Sequence, residues 1–232
     1  MRARWREESA RAGRLAAWAL VMREFAGFLR DSTPQRRRSR YGDMEYDWEY
    51  RVNTTSGSVN WRDRLLGVFH SPYQPTDAAV FREMIEKLPI DPAQFTFVDL
   101  GSGKGRTLLL AAEFPFREIV GIEIVPALHR VAVQNIALAD PATPARLQSV
   151  CMDATEYSLP ETPLVVYLFN PLPEAGLGRV VGNLEGAVRR APREVWVVYH
   201  NPLLEHVLES SAGFERVLRE PQYAIFRARQ IL

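Results

Sequence analysis

Residues Phe95–Asn135 read FTFVDLGSGKGRTLLLAAEFPFREIVGIEIVPALHRVAVQN. The apolar run from Phe95 to Leu100 has the composition of a buried strand. A turn of alternating glycines follows, Gly101-Ser102-Gly103-Lys104-Gly105, then a helical run from Thr107 to Phe114. A second apolar run, Ile119 to Ile124, carries Glu123 near its end. Strand, glycine turn, helix and strand together predict a unit of a parallel sheet, and such sheets bind ligands at the carboxyl ends of their strands.

The turn narrows the ligand. Glycines permit backbone angles that a side chain forbids and let a ligand approach the main chain. Amide groups opening the next helix suit a carboxylate or a phosphate. Glu123 is spaced to accept hydrogen bonds from two ribose hydroxyls. A Walker-type phosphate loop fails on spacing, because Gly-Ser-Gly-Lys-Gly-Arg lacks the four residues between the first Gly and a Gly-Lys-Ser/Thr ending. A dinucleotide fingerprint needs Gly-x-Gly-x-x-Gly, whereas here the glycines run Gly-x-Gly-x-Gly, and Asp99 would repel a pyrophosphate. A third reading is S-adenosyl-L-methionine, whose tail carries an ammonium and a sulfonium that an acid beside the turn would favour. A purely structural strand, turn and helix is the bland alternative.

Through VDLGSGKGR (Val98 to Arg106) and GIEIVP (Gly121 to Pro126), the chain resembles the class I S-adenosyl-L-methionine-dependent methyltransferases. The resemblance spans roughly Tyr73 to Ala228. It implies an α/β, three-layer Rossmann-like sandwich, with a mostly parallel seven-stranded sheet and a C-terminal antiparallel hairpin. It implies S-adenosyl-L-methionine as cofactor, with S-adenosyl-L-homocysteine as product. The cofactor-binding set it implies is Asp99, Gly101, Ser102, Gly103, Gly105, Glu123, Ile124, Asp153, Ala154 and Asn170. A Tyr-x-Pro-Thr turn, as in small bacterial members, adds Tyr73 and Thr76. The glycine turn and short second strand also resemble protein-lysine methyltransferases of the histone-core type.

Length and composition bound the rest. With 232 residues, 47% hydrophobic and 25% charged, the chain has an ordinary globular composition. We divide it into an N-terminal helical and aromatic extension over 1–72, acting as a lid on the cofactor site, and a methyltransferase domain over 73–232. The net charge of +1 hides an asymmetry: eleven Arg against four acids give +7 over residues 1–40, which leaves −6 for the remainder. Nucleic acid is therefore not favoured, and only the N-terminal arm could recruit it. One cysteine, Cys151, excludes an internal disulfide and reads as buried strand filler. No apolar run approaches ~18 residues, so no membrane span is expected, and a cytoplasmic protein is the default. Four histidines show no metal-ligand spacing, and no metal is expected.

Further along, Leu15, Trp18, Met22, Phe25 and Leu29 form one stripe of a helix over 5–30, packed on the domain or forming a homodimer with a second copy. Gln35 to Arg40 reads as a solvated basic linker. Thr76 is expected to cap a helix from Asp77 to Leu88. Pro126 opens a helix to Leu138. Arg146 to Met152 is the third strand, ending at Asp153, where an acid meets an adenine amino group or caps a helix.

Leu164 to Phe169 is a central buried strand, ending in Asn170-Pro171-Leu172-Pro173. This turn resembles the Asn-Pro-Pro-aromatic turn of amine-modifying methyltransferases, which implies acceptor positioning by Asn170 and Pro171. Leu172 and Pro173 depart from that pattern, so protein lysine and small-molecule acceptors both stay open. Leu177 to Arg190 has helical spacing weakened by four glycines, unless those glycines pack on the sheet. Val195 to Tyr199 is the fifth strand, a short helix covers Leu203 to Ser210, and Phe214–Arg219 with Tyr223–Ala228 form a hairpin. His200, at the carboxyl end of the fifth strand, is a candidate general base against a purely structural alternative. A non-catalytic binding module on the same fold is the alternative to an enzyme.

Overall fold

The structure is a computed structural model that describes Thr54, residues 76–138 and residues 146–229. The expected N-terminal helix, the basic linker and Tyr73 lie outside the described residues. Seven strands form one sheet: β1 (Thr96–Leu100), β2 (Glu118–Glu123), β3 (Leu147–Cys151), β4 (Leu164–Leu168), β5 (Val195–His200), β6 (Phe214–Arg219) and β7 (Tyr223–Ala228). The order is β3-β2-β1-β4-β5-β7-β6. The pairs from β3 through to β5 are parallel, and β7 is inserted antiparallel between β5 and β6. The expected doubly wound sheet with a C-terminal hairpin is therefore present. The chain steps outward from β1 to β3, then returns to the other side of β1 with β4. That reversal leaves a crevice above the carboxyl ends of β1 and β4, where such sheets take their ligands.

Every residue of β1, β4 and β5 is buried, with helices on both faces, which is why these strands are mostly apolar. On one face, α1 (Ala78–Glu86) and α2 (Arg106–Ala111) cover Phe97, Tyr167, Trp196 and Val198. Phe81, Phe97, Phe116 and Tyr167 form an aromatic cluster there, with neighbouring ring centroids 5.3–6.2 Å apart. On the other face, α4 (Glu174–Arg190) and α5 (Glu205–Glu209) cover Val98, Val166, Val197 and Phe226. The helix α3 (Pro126–Leu138) packs against β2 and β3. The Arg82 guanidinium clamps the Glu113 carboxylate with bonds of 2.6 and 2.9 Å, tying α1 to the end of α2.

Four expectations are corrected. The cap of α1 is Asp77, whose Oδ1 accepts from the Ala79 and Val80 amides; the Thr76 hydroxyl bonds elsewhere. Cys151 is exposed, because β3 is an edge strand and its last residue faces solvent. The glycines of α4 do not act alike. Gly176 packs on Leu172 and Pro173, whereas Gly178 and Gly182 have open space where a Cβ would stand. The helix α2 ends at Ala111, earlier than its apolar run suggests, since the chain turns at Phe114-Pro115.

Candidate active site

The end of β1 delivers Asp99, only 2% exposed, onto the face covered by α1 and α2. Its Oδ2 accepts the hydroxyl of Thr107 in the first turn of α2. Burial pushes its carboxyl up to about 7, with the Thr107 bond opposing and the nearby Glu123 charge adding. A carboxyl in that state binds either a proton or a cation.

The turn that follows has three glycines at positive φ: Gly101 at 92°, Gly103 at 55° and Gly105 at 82°. The Gly101 and Ser102 amides donate to the Ile122 carbonyl at 2.8 and 3.0 Å, extending the β1–β2 pairing into the turn. The Gly105 amide closes it on the Ser102 carbonyl at 2.8 Å, and Asn135 of α3 donates to the Lys104 carbonyl at 2.9 Å. Gly101 must be bare for a second reason, because a Cβ there would stand 2.4 Å from the Pro171 Cβ. The turn after β1 and the turn after β4 thus lie against each other. Ser102 is buried, and its side chain occupies the space left over Gly121.

Glu123 closes β2 and turns toward the glycines. Its Oε2 accepts from the Gly103 amide and its Oε1 from the Val125 amide, both at 2.8 Å. Burial raises its pKa, which the backbone amides of Val125, Gly103 and Ile124 only partly offset. A carboxylate offers about four lone-pair sites, so room remains for two hydroxyl donors. Ile124, next along, is half exposed, an apolar surface at the rim. On the neighbouring strand end, the Met152 amide donates to the Glu123 carbonyl at 3.2 Å, so Asp153 and Ala154 sit beside Glu123. Asp153 Oδ1 accepts from the Thr155 amide at 2.8 Å, in a turn rather than at a helix cap.

After β4, Asn170 is buried with φ of 47°. Its Nδ2 donates to the Asn201 carbonyl at 2.6 Å; its Oδ1 accepts from the Tyr199 hydroxyl at 2.9 Å and the Leu203 amide at 3.4 Å. Asn170 therefore stitches the turn after β4 to the turn after β5. An acceptor N–H reaching Oδ1 would displace one of these donors. His200, at the end of β5, stacks on Phe169 with ring centroids 4.2 Å apart. Burial pushes its imidazole down to about 4, with Asp77 partly opposing, so the ring is neutral near pH 7. Its Nδ1 lies 2.8 Å from the Tyr167 hydroxyl, which lies 3.0 Å from Thr76 Oγ1. Among the described residues, no three of His, Cys, Asp and Glu come together as metal ligands, and no helix is long and apolar enough to cross a membrane.

Solved structures share this fold. A predicted N6-adenine-specific DNA methylase from Listeria monocytogenes superposes with a TM-score of 0.52 over 71% of this chain and 54% of that one, at 13% identity. The glycopeptide N-methyltransferase MtfA gives 0.51 over 66% of this chain and 96% of that one, at 12% identity. The fold is that of the class I methyltransferases. An RNA methyltransferase from Salinibacter ruber, crystallised with S-adenosyl-L-homocysteine, is 22% identical over 66% of this chain and 92% of that one, with a TM-score of 0.45. The family model for histone methylation protein DOT1 matches residues 70–141. That range runs from before α1 through α3 and includes Thr76, the glycine turn and Glu123, but stops short of Asn170 and His200. Curated proteins give no match.

Sequence reading missed Tyr167, Thr107 and Asn135. Tyr167 had a signal, being the one polar atom in the run LVVYLF, and a buried tyrosine hydroxyl needs a partner. Asn135 likewise sits amid the apolar positions of α3 and is 2% exposed.

Proposed function

We propose that the protein is an S-adenosyl-L-methionine-dependent methyltransferase that acts on an amine nitrogen, with a protein lysine as the favoured acceptor. The observation that carries this reading is the pair of buried carboxyls, Asp99 and Glu123, flanking a turn stripped of Cβ atoms at Gly101, Gly103 and Gly105. Both carboxyls have pKa values raised above the ordinary range by burial. A ligand that brings an ammonium toward Asp99 and hydroxyls toward Glu123 relieves both, and a phosphate-bearing dinucleotide would worsen both. The residues therefore fit an adenosine with a methionine tail.

When bound, that cofactor would supply an electrophilic methyl group, with a neutral thioether as leaving group, to the lone pair of the acceptor nitrogen. The chain's task is alignment and exclusion of water. Asp99 would hold the tail ammonium, Glu123 the ribose hydroxyls, Asp153 the adenine amino group, and Ile124 and Ala154 the adenine ring. Tyr73, Thr76, Ser102 and Asn170 complete the cofactor contacts. Pro171, packed over Gly101, and Asn170 border the path of the acceptor. His200 stays neutral and so adds no repulsion to the sulfonium. The proton lost by the methylated nitrogen passes to water.

The match of the histone methylation model to residues 70–141 supports a protein acceptor. A lysate incubated with the protein and methyl-labelled cofactor, read by mass spectrometry, tests the reading. Label on a lysine side chain is the expected result. Label on no protein and no small amine would contradict it.

A further inference from the structure

Thr76, Tyr167 and His200 are 4%, 1% and 7% exposed, and they form one chain of hydrogen bonds out of reach of water. Thr76 precedes α1, Tyr167 lies in β4 and His200 ends β5, so the chain crosses three elements. Its links are Thr76 Oγ1 to Tyr167 Oη at 3.0 Å and Tyr167 Oη to His200 Nδ1 at 2.8 Å. The two ends face different parts of the site. Tyr167 is the register partner of Asp99 on β1, so the hydrogen bond from Thr76 ties the start of the chain to the strand that carries Asp99. His200 stacks on Phe169, the residue before Asn170-Pro171, which puts it on the acceptor side.

Each hydroxyl owns a single proton, so only two arrangements keep the Tyr167 proton within the chain. In one, Thr76 donates to Tyr167, Tyr167 donates to Nδ1, and the His200 proton sits on Nε2. In the other, His200 Nδ1–H donates to Tyr167, Tyr167 donates to Thr76, and Thr76 is left to donate outward. Nε2 then presents a lone pair. Among the described residues, the titratable groups around the ring are Tyr167 from β4, Tyr223 opposite it on β7, and Asp77 at the start of α1; Asp99 lies beyond Tyr167. Burial keeps the imidazole uncharged, so the choice lies between two neutral tautomers.

We propose that Tyr167 is a positioning residue through which the hydrogen bond made by Thr76 to the cofactor decides which ring nitrogen of His200 carries the proton. The inference rests on the methyltransferase reading above. Asp99 and Glu123 take the cationic and hydroxyl groups and repel the tail carboxylate, which turns to the neutral Thr76 hydroxyl. Thr76 then donates outward, Tyr167 donates to Thr76, and His200 donates from Nδ1. The Nε2 lone pair is thereby set to accept an N–H of the incoming amine and to orient its lone pair at the methyl group. Cofactor binding thus prepares the acceptor side without any movement of the backbone.

The test uses the full chain with 15N-labelled histidine and S-adenosyl-L-homocysteine, so no turnover is needed. Calorimetry follows binding while NMR follows the two His200 ring nitrogens. Saturation is expected to leave Nδ1 protonated and Nε2 bare. Tyr167→Phe is expected to bind the same compound with the His200 response lost. Thr76→Val should lose the response also, and Thr76→Ser should restore it, which a packing role for Thr76 would not do. Saturable binding with an unchanged or opposite tautomer, or a wild-type response in Tyr167→Phe, would overturn the relay alone. No binding by the wild-type chain would overturn the methyltransferase reading, and the relay with it.

Discussion

Replacing Asp99 with Asn should make the protein more stable in alkali and a poorer binder of its cofactor. Asp99 is fully buried, and its carboxyl titrates at about 7 instead of its ordinary 3.8. The folded state therefore holds a proton that the unfolded chain releases at a lower pH. Between those two values the folded state binds more protons, so stability falls as pH rises, by about 1.4 kcal/mol per unit. Over the full interval the loss is on the order of 4 kcal/mol, and from pH 5 to pH 7 it is about 2 kcal/mol. An asparagine still accepts the Thr107 hydroxyl through Oδ1 but has no charge to bury. Any pH-independent cost of the amide cancels when the comparison is made across pH.

The assay is chemical or thermal unfolding of both proteins at pH 5 and pH 8. The stability difference should move by about 3 kcal/mol in favour of Asp99→Asn, or roughly 6–12 °C in Tm for a chain of this size. Binding should move the other way. An ammonium beside Asp99 favours the carboxylate, so wild-type affinity should climb as pH rises toward 7, and the variant should lack that climb. Parallel stability profiles for the two proteins would refute the reasoning, because they would mean that Asp99 is solvated or already paired.

Other expectations follow from the same geometry. Glu123→Ala removes the acceptor of the Gly103 and Val125 amides, and should weaken cofactor binding at least tenfold by calorimetry, about 1.4 kcal/mol. Gly101→Ala places a Cβ against Pro171 at a φ of 92°; it should destabilise by about 1–3 kcal/mol and abolish binding. Gly178→Ala and Gly182→Ala meet nothing within 4 Å, and each should stabilise α4 by about 0.5–1 kcal/mol in urea unfolding with activity retained. Phe97→Ala, at the centre of the aromatic cluster, should cost about 3–5 kcal/mol.

What the sequence made legible was local. The glycine turn requires positive φ at Gly101, Gly103 and Gly105, and only a strand-to-helix crossing before a second strand ending in an acid explains their spacing with Glu123. The unbroken apolar runs of β4 and β5 follow from burial on both faces, and both hairpin strands have the expected bounds. What escaped was non-local. Thr76 and Asp77 are equally good caps by type, and the choice went to Asp77 because Tyr167, 91 residues away, takes the Thr76 hydroxyl. Cys151 was misplaced because an apolar strand reads alike at a sheet edge and at its centre. Asn170 looked like a group free for the acceptor, yet its amide holds Asn201, Tyr199 and Leu203, none of which local spacing reveals.

Calorimetric titration of the wild-type chain and Gly103→Val with S-adenosyl-L-homocysteine tests the central claim most directly. The account predicts one saturable site in the wild type, with affinity lost when a side chain fills the turn beside Glu123. Absence of binding, or equal binding by both proteins, would contradict it.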